Sequence, residues 1–506
     1  KWQIALALGA TGAIGFGYWY LRQTKSYKIE GNVHFKKGKY DEAINLYNKA
    51  IEICPETLHL DLATYYQNRA AAYEHLKKWS AVINDCTKAL EFNEKYEKAL
   101  NRRAKAYEAV KDWENCLDDI TAVCLLQNFQ NQNALLLADR VLKELGKQHA
   151  TEAMKNKKPT LPSKQFIKTY FMSFSEDPVY KRLMSTDEPV GEGILSGFLK
   201  AKVFFATEQF DEIIPACTEE INSSESESQF IFEALLLRGS FYVLSGAHKL
   251  AFEDFKTIIE ATDVEVKLKV NTLIRRASLY MQIDNTDNCL RDFAMAVDLA
   301  PNVSDIYHHR GQVHLLLDKS DEARKDFEKA VHLNPNFAIA AVQKCYVDYR
   351  YAMLTQDVDM LMKSLTDFVD ATKRFSTYSE VFVLYGQVLS ERQDFPAADE
   401  LYLKGLEVEP QNATILVHRG LLALQWNNDA KKAVELMNAA IRLDEKCEFA
   451  YETLGTVEVQ RGNLVIAIDL FNKAITLART ELEMTHLFSL RDAAISQLKV
   501  TTRLGI

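Results

Sequence analysis

At 506 residues the chain has room for several domains or one long array. With 47% hydrophobic and 26% charged residues it has the make-up of a globular protein, which excludes a largely disordered one. The net charge of −9 is uneven: residues 1–145 hold 20 Lys+Arg against 18 Asp+Glu, residues 146–190 hold 8 against 5, and residues 191–506 hold 33 against 47. The acidic C-terminal part speaks against nucleic acid as a partner and leaves two readings, a surface for cationic ligands or one that is merely soluble.

In chain order, the first element is Trp2–Leu21, 20 residues without a charge. As a helix it spans ~30 Å, the thickness of a bilayer's hydrocarbon core. Tyr18, Trp19 and Tyr20 sit at its end, where aromatic rings suit the membrane interface, and Arg22, Lys25 and Lys28 follow. The run is too long, and too aromatic at its end, for a cleaved secretory signal, so residues 1–22 read as a single-pass transmembrane anchor. The basic flank lies C-terminal to the run and puts the bulk of the chain in the cytosol. Ala5, Gly9, Ala13 and Gly17 form a stripe that either packs against another membrane helix or merely fills space. The chain begins at Lys1 without a methionine, which points to a missing N-terminal piece.

Residues 23–145 follow as a first array of helix pairs, with Tyr40, Trp79 and Trp113 at the turns inside the pairs. Lys28 and Asn32 precede Tyr40 by 12 and 8 residues, Asn68 precedes Trp79 by 11, and Lys98 and Arg102 precede Trp113 by 15 and 11. All of them fall on the first helices of their pairs, and at ~100° per residue their offsets share an arc of roughly 100°. Lysines, an arginine and asparagines on one face supply donors for carboxylates, and donors to ionised acceptors make strong hydrogen bonds. The strings K-x-x-G-N (Lys28, Gly31, Asn32), N-R-A-A-A-Y from Asn68 and K-A-L-N-R-R from Lys98 resemble the carboxylate-clamp tetratricopeptide domains. The resemblance implies that Lys28, Asn32, Asn68, Lys98 and Arg102 grip the chain-end carboxylate and last aspartate of the acidic C-terminal tails of Hsp70 and Hsp90.

Residues 146–190 break the period with Pro159, Pro162, Pro178 and Pro189 and the basic cluster Lys155, Lys157, Lys158. They read as a connector in which Gln165–Phe174 packs and the rest is mobile. Residues 191–506 resume a spacing near 34, that of the tetratricopeptide repeat: Phe293, Ala296 and Pro301 recur as Phe327, Ala330 and Pro335, and Gly386, Gly420 and Gly455 mark three further units. Small residues serve where two helices cross closely, and stacked pairs bury what no single pair can bury alone. The expected fold is all-α: a tetratricopeptide-repeat superhelix of about eleven helix pairs in two arrays, after an N-terminal transmembrane helix. Glu481–Val500 reads as a closing helix over the last repeat.

The inward positions of the second array's first helices give Asp305, His308, His309, Glu380, His418 and Glu452, with Val383, Leu384, Val417, Leu421 and Phe449 beside them. Such a groove suits a basic amphipathic segment, its apolar face on the aliphatic residues and its cations near Glu380 and Glu452. The rival reading has these side chains packing against neighbouring repeats or facing water. No Gly-rich phosphate loop, G-x-S-x-G elbow or H-E-x-x-H occurs, and the eight cysteines include no C-x-x-C pair. His308 and His309, being adjacent, point in different directions on a helix and make a poor metal pair. No catalytic residue, metal or cofactor is expected.

The strings Q-F-I-K-T-Y-F from Gln165, Y-H-H-R-G-Q from Tyr307 and F-A-Y-E-T-L-G-T-V-E-V-Q-R-G-N from Phe449 are more specific than the repeat consensus. With the order anchor, clamp array, connector and longer acidic array, they make the chain similar over essentially all its length to the large tetratricopeptide import receptors of the mitochondrial outer-membrane translocase, in their metazoan form. This implies a receptor in that membrane, facing the cytosol and working beside other translocase subunits. Chaperone-borne precursors would dock at the clamp and pass to the C-terminal groove, then to the pore. The cargo would be carriers or presequence-like basic amphipathic segments. The alternative is a membrane-anchored co-chaperone scaffold on another organelle.

Overall fold

The computed structural model describes residues 22–185, 197–223 and 229–506, and every regular element among them is helical. The expected anchor at 1–22 lies, but for its last residue, outside the described residues. Among those described, no helix is long and apolar enough to cross a membrane.

Helices pair in sequence, as the 34-residue period requires. In each pair the turn is closed by a left-handed residue two positions before the second helix, as at Lys77 (φ 54°) before Trp79 and Lys111 (φ 61°) before Trp113. A side-chain-bearing residue pays roughly 1–2 kcal/mol for that conformation, which the packing of the two helices offsets. Where the helices cross, glycine is obligatory. A Cβ on Gly31 would meet the Tyr47 ring at 2.7 Å, and one on Gly386 would meet the Tyr402 ring at 2.7 Å.

The same spacing of 16 residues that separates these glycines from their aromatics also separates a series of ion pairs absent from the sequence expectations. Arg69–Asp85, Arg103–Asp119, Arg238–Asp254, Arg276–Asp292 and Arg310–Asp326 close at 2.6, 2.6, 2.6, 2.7 and 2.6 Å. Each guanidinium grips its carboxylate with two nitrogens, for example Arg69 Nε and Nη2 on Asp85. The arginine side chains are only 13–26% exposed and the aspartates 2–6%. Fork-to-fork pairing of this kind sets geometry as well as energy, so it fixes the register of the second helix on the first.

The described chain forms two compact units, whose boundaries differ from those expected. One runs to Lys155 and includes Glu458–Asn472 and Met484–Ile506; the other comprises Asn156–Val457 and Lys473–Glu483. In the first unit the helix Gln132–Lys155 continues through the expected boundary at 145, because Leu137, Val141, Leu145 and Ala150 keep one face buried. The helix Glu481–Leu504 covers more than the last repeat. Ala494 packs on Ala467 and Phe471, while Val500 and Leu504 enter the core around Leu137 and Val141. Ser489 Oγ donates to the Leu142 carbonyl at 2.9 Å, an approach that Gly146 permits.

In the second unit the expected connector is built in. Its prolines start helices: Pro178 opens Pro178–Met184, capped by Asp177, and Ser163 caps Lys164–Met172. Ile167, Phe171, Val179 and Leu183 are buried in one core with Phe198, Phe205 and Phe241. Arg275, 1% exposed, donates Nη2 to Asp177 Oδ2 at 2.6 Å and Nε to Ser240 Oγ at 2.9 Å, bonds Asn271, and lies 3.9 Å from the Phe174 ring centre. A mobile linker was expected outside Gln165–Phe174; the segment Lys164–Met184 is instead a fixed part of the unit.

Candidate functional site

In the first unit, two side chains of the expected clamp meet. Asn32 Oδ1 accepts from Tyr47 Oη at 2.7 Å and from Asn68 Nδ2 at 3.3 Å, which joins the first helix of one pair to the first helix of the next. Lys98 is exposed in the opening turn of the helix Glu97–Ala109, and Lys28 is half-exposed on residues 22–36. Arg102 sits one turn beyond Lys98 with its side chain 20% exposed, and its Nε donates to Glu74 Oε2 at 2.6 Å. Its Nη1 is buried with no hydrogen-bond partner among the described residues. Lys28, Lys98 and Arg102 make no bond to the asparagine pair.

Register explains the division of labour between adjacent residues. Arg69 and Arg103 turn to the second helices and are held by Asp85 and Asp119. Asn68 and Arg102, each one residue earlier and so ~100° around the helix, turn to the other side. The doublets N-R and R-R thus split into one residue that locks the repeat and one left for another use. Glu74, which grips Arg102, was missed from the sequence. It lies 28 residues before Arg102, a separation that matches no repeat spacing.

In the second unit, Glu380 and Glu452 line one cavity of about 540 Å³ together with Val383 and Phe449. One wall comes from the connector, through Leu161, Phe166 and Met172. Glu380 stands in the first turn of the helix Ser379–Glu391, and burial, reinforced by Glu409, raises its carboxyl above the usual carboxylate range. Phe166 is 45% exposed and carries the Arg479 guanidinium 4.3 Å from its ring centre. Apolar walls with a few placed charges describe a peptide-accepting concavity.

Three residues expected in this groove are elsewhere. His418 packs beside Tyr402 at 5.8 Å and Phe449 at 5.5 Å and shares a hydrogen bond of 3.1 Å with Gln387. Burial pulls its imidazole down to about 4, so it is neutral near pH 7. Asp305 is 1% exposed and accepts from the Ser175 amide (2.9 Å), Ser175 Oγ (2.7 Å) and the Glu176 amide (2.9 Å). His308 is fully buried between Phe327 and Phe337, with neither ring nitrogen bonded among the described residues, and burial holds it well below its ordinary value. The helix Ser304–Leu316 lost its groove face because the connector lies on it: Phe174 stacks on His309 at 4.2 Å. Among the described residues, no group of three or more His, Cys, Asp or Glu is placed to hold a metal ion.

The tetratricopeptide repeat family matches residues 27–95 and 304–337. The chain is 47% identical over 496 residues to the mitochondrial import receptor subunit TOM70 of Homo sapiens, covering 96% of this chain and 81% of that one. It is 26% identical over 511 residues to TOM70 of Saccharomyces cerevisiae, covering 94% and 80%. Among solved structures it is similar to the crystal structure of yeast Tom70, with a TM-score of 0.53 at 25% identity, covering 95% of this chain and 97% of that one. Identity at this level along nearly the whole length leaves no segment for a different architecture, and the chain belongs to the TOM70 family of mitochondrial import receptor subunits.

Proposed function

We propose that the chain is a precursor receptor of the mitochondrial outer membrane whose residues 23–145 dock the acidic C-terminal tails of Hsp70 and Hsp90. The cavity of the second unit takes a segment of the precursor, which then passes to the translocase pore. Family membership favours this over a co-chaperone scaffold on another organelle. The observation that carries the docking role is the Asn32–Asn68 junction, with Lys28, Lys98 and the unpartnered edge of Arg102 as its cations. Hydrogen bonds to charged groups contribute ~1.5–3 kcal/mol each, and ordering a flexible tail costs several kcal/mol. The balance is a roughly micromolar, readily released complex.

The docking role is tested by calorimetry with a chaperone-tail peptide and its copy lacking the terminal aspartate. The intact tail binds at micromolar strength and the shortened one is lost. Equal binding of both would remove the clamp. For the cavity, Glu380→Lys with Glu452→Lys weakens a basic amphipathic peptide by about tenfold or more, since two attractions become two repulsions. Crosslinking of that peptide to residues 23–145 instead of the cavity would contradict the assignment.

A further inference from the structure

The charges around the cavity do not balance. Five carboxylates line it: Glu380, Glu409, Asp444, Glu448 and Glu452. Glu409 is satisfied, its Oε2 accepting from Ser379 Oγ at 2.7 Å, Asn412 Nδ2 at 2.9 Å and Gln165 Nε2 at 3.2 Å. Asp444 accepts from the Lys446 amide at 3.0 Å, and Glu452 has a partner of its own. Glu380 and Glu448 take part in no hydrogen bond or ion pair among the described residues.

The nearby cations are engaged elsewhere. Lys446 donates to the Leu161 carbonyl at 3.2 Å, Lys157 to the Thr476 and Ile475 carbonyls at 2.9 and 3.4 Å, and Arg479 lies over Phe166 and reaches Glu483 only at 3.9 Å. The groups facing Glu448 are therefore Glu452 from its own helix, Glu483 and Arg479 from the segment after the helix Leu464–Leu477, and Lys157 from the connector. Burial first, and then Glu483, push the Glu448 carboxyl up to about 7, with Arg479 and Lys157 opposing only in part.

We propose that Glu448 is the specificity-determining carboxylate of this cavity, receiving the ammonium or guanidinium of a basic side chain on the bound segment and releasing a proton to solvent as it does so. This rests on the cavity being the seat of the precursor segment. The incoming cation arrives already charged. The carboxylic acid therefore loses its proton and the ion pair forms, with no other bond changed. A group near 7 is mostly protonated at pH 6 and mostly ionised at pH 8, so affinity for a basic segment rises about tenfold across that interval.

The test is calorimetry on the full chain at pH 7, in two buffers of different ionisation enthalpy. The probes are an amphipathic helical peptide with lysines on its polar face and its lysine-to-glutamine copy. The lysine peptide releases about half a proton, as expected for a group half ionised at that pH; the glutamine peptide releases none. Glu448→Gln abolishes the release and weakens the lysine peptide about tenfold, and leaves the glutamine peptide unchanged. Glu380→Gln keeps the release. Lysine-peptide binding with unaltered proton release in Glu448→Gln, or loss of the release in Glu380→Gln, overturns the role of Glu448 alone. Failure of either peptide to bind overturns it together with the cavity's assignment.

Discussion

Replacing Arg102 by alanine lowers affinity for an acidic chaperone tail by about 100-fold or more, with helicity unchanged. The guanidinium keeps Nε on Glu74 and leaves Nη1 without a partner, so its open edge has room for two charge-assisted hydrogen bonds. At ~1.5–3 kcal/mol each their loss amounts to several kcal/mol, and every 1.4 kcal/mol is tenfold. The substitution also frees the Glu74 carboxylate next to an anionic ligand, which adds repulsion. Arg103→Ala, one residue away, behaves differently: it strands the buried Asp119 and destabilises the array. Calorimetry with the tail peptide, alongside circular dichroism, separates the two. Full binding by the Arg102 variant would refute the assignment.

Asp177→Ala produces the largest loss of stability. Asp177 is 1% exposed and serves two purposes. Its Oδ1 accepts from the Val179 and Tyr180 amides at 2.8 and 3.1 Å, and its Oδ2 accepts from Arg275 at 2.6 Å. Removing it leaves a fully buried guanidinium without a counter-ion, at about 3–5 kcal/mol, and a helix without its cap, at about 1 kcal/mol. Asp177→Asn keeps the cap and falls between. In calorimetric scans the transition of the unit containing Asn156–Val457 drops by roughly 8–15 °C for the alanine variant, and trypsin cuts first at Lys164 or Lys168. An unshifted transition would mean that the connector is not anchored through this pair. The same variant weakens peptide binding in the cavity, one wall of which is Leu161–Met172.

Much of this architecture was legible from residues alone. Gly31 with Tyr47 and Gly386 with Tyr402 are local events, a helix turning back on its neighbour within 16 residues. Such short-range packing repeats in the sequence as it repeats in space. The meeting of Asn32 and Asn68 is of the same kind, since it follows from stacking one pair on the next. The arginine–aspartate series was equally local and could have been read from its constant spacing, had charged residues been searched for as closely as small ones.

What the sequence by itself determined is thus whatever follows from helical period and repeat length: the all-α class, the pairing of helices, and which side chains share the clamp's side of the first array. Tertiary structure alone decided where chain far away in sequence would lie. Asp305 and His308 occupy the register of groove residues, yet the connector covers them, because Ser175 and Glu176 find in Asp305 the acceptor their buried amides require. Glu448 stands in a helix's first turn, where an acid is ordinarily ionised, and it is the surrounding burial and Glu483, thirty-five residues on, that hold its proton. Periodicity reports the face a residue occupies; desolvation depends on what is laid over that face, and no local pattern encodes it.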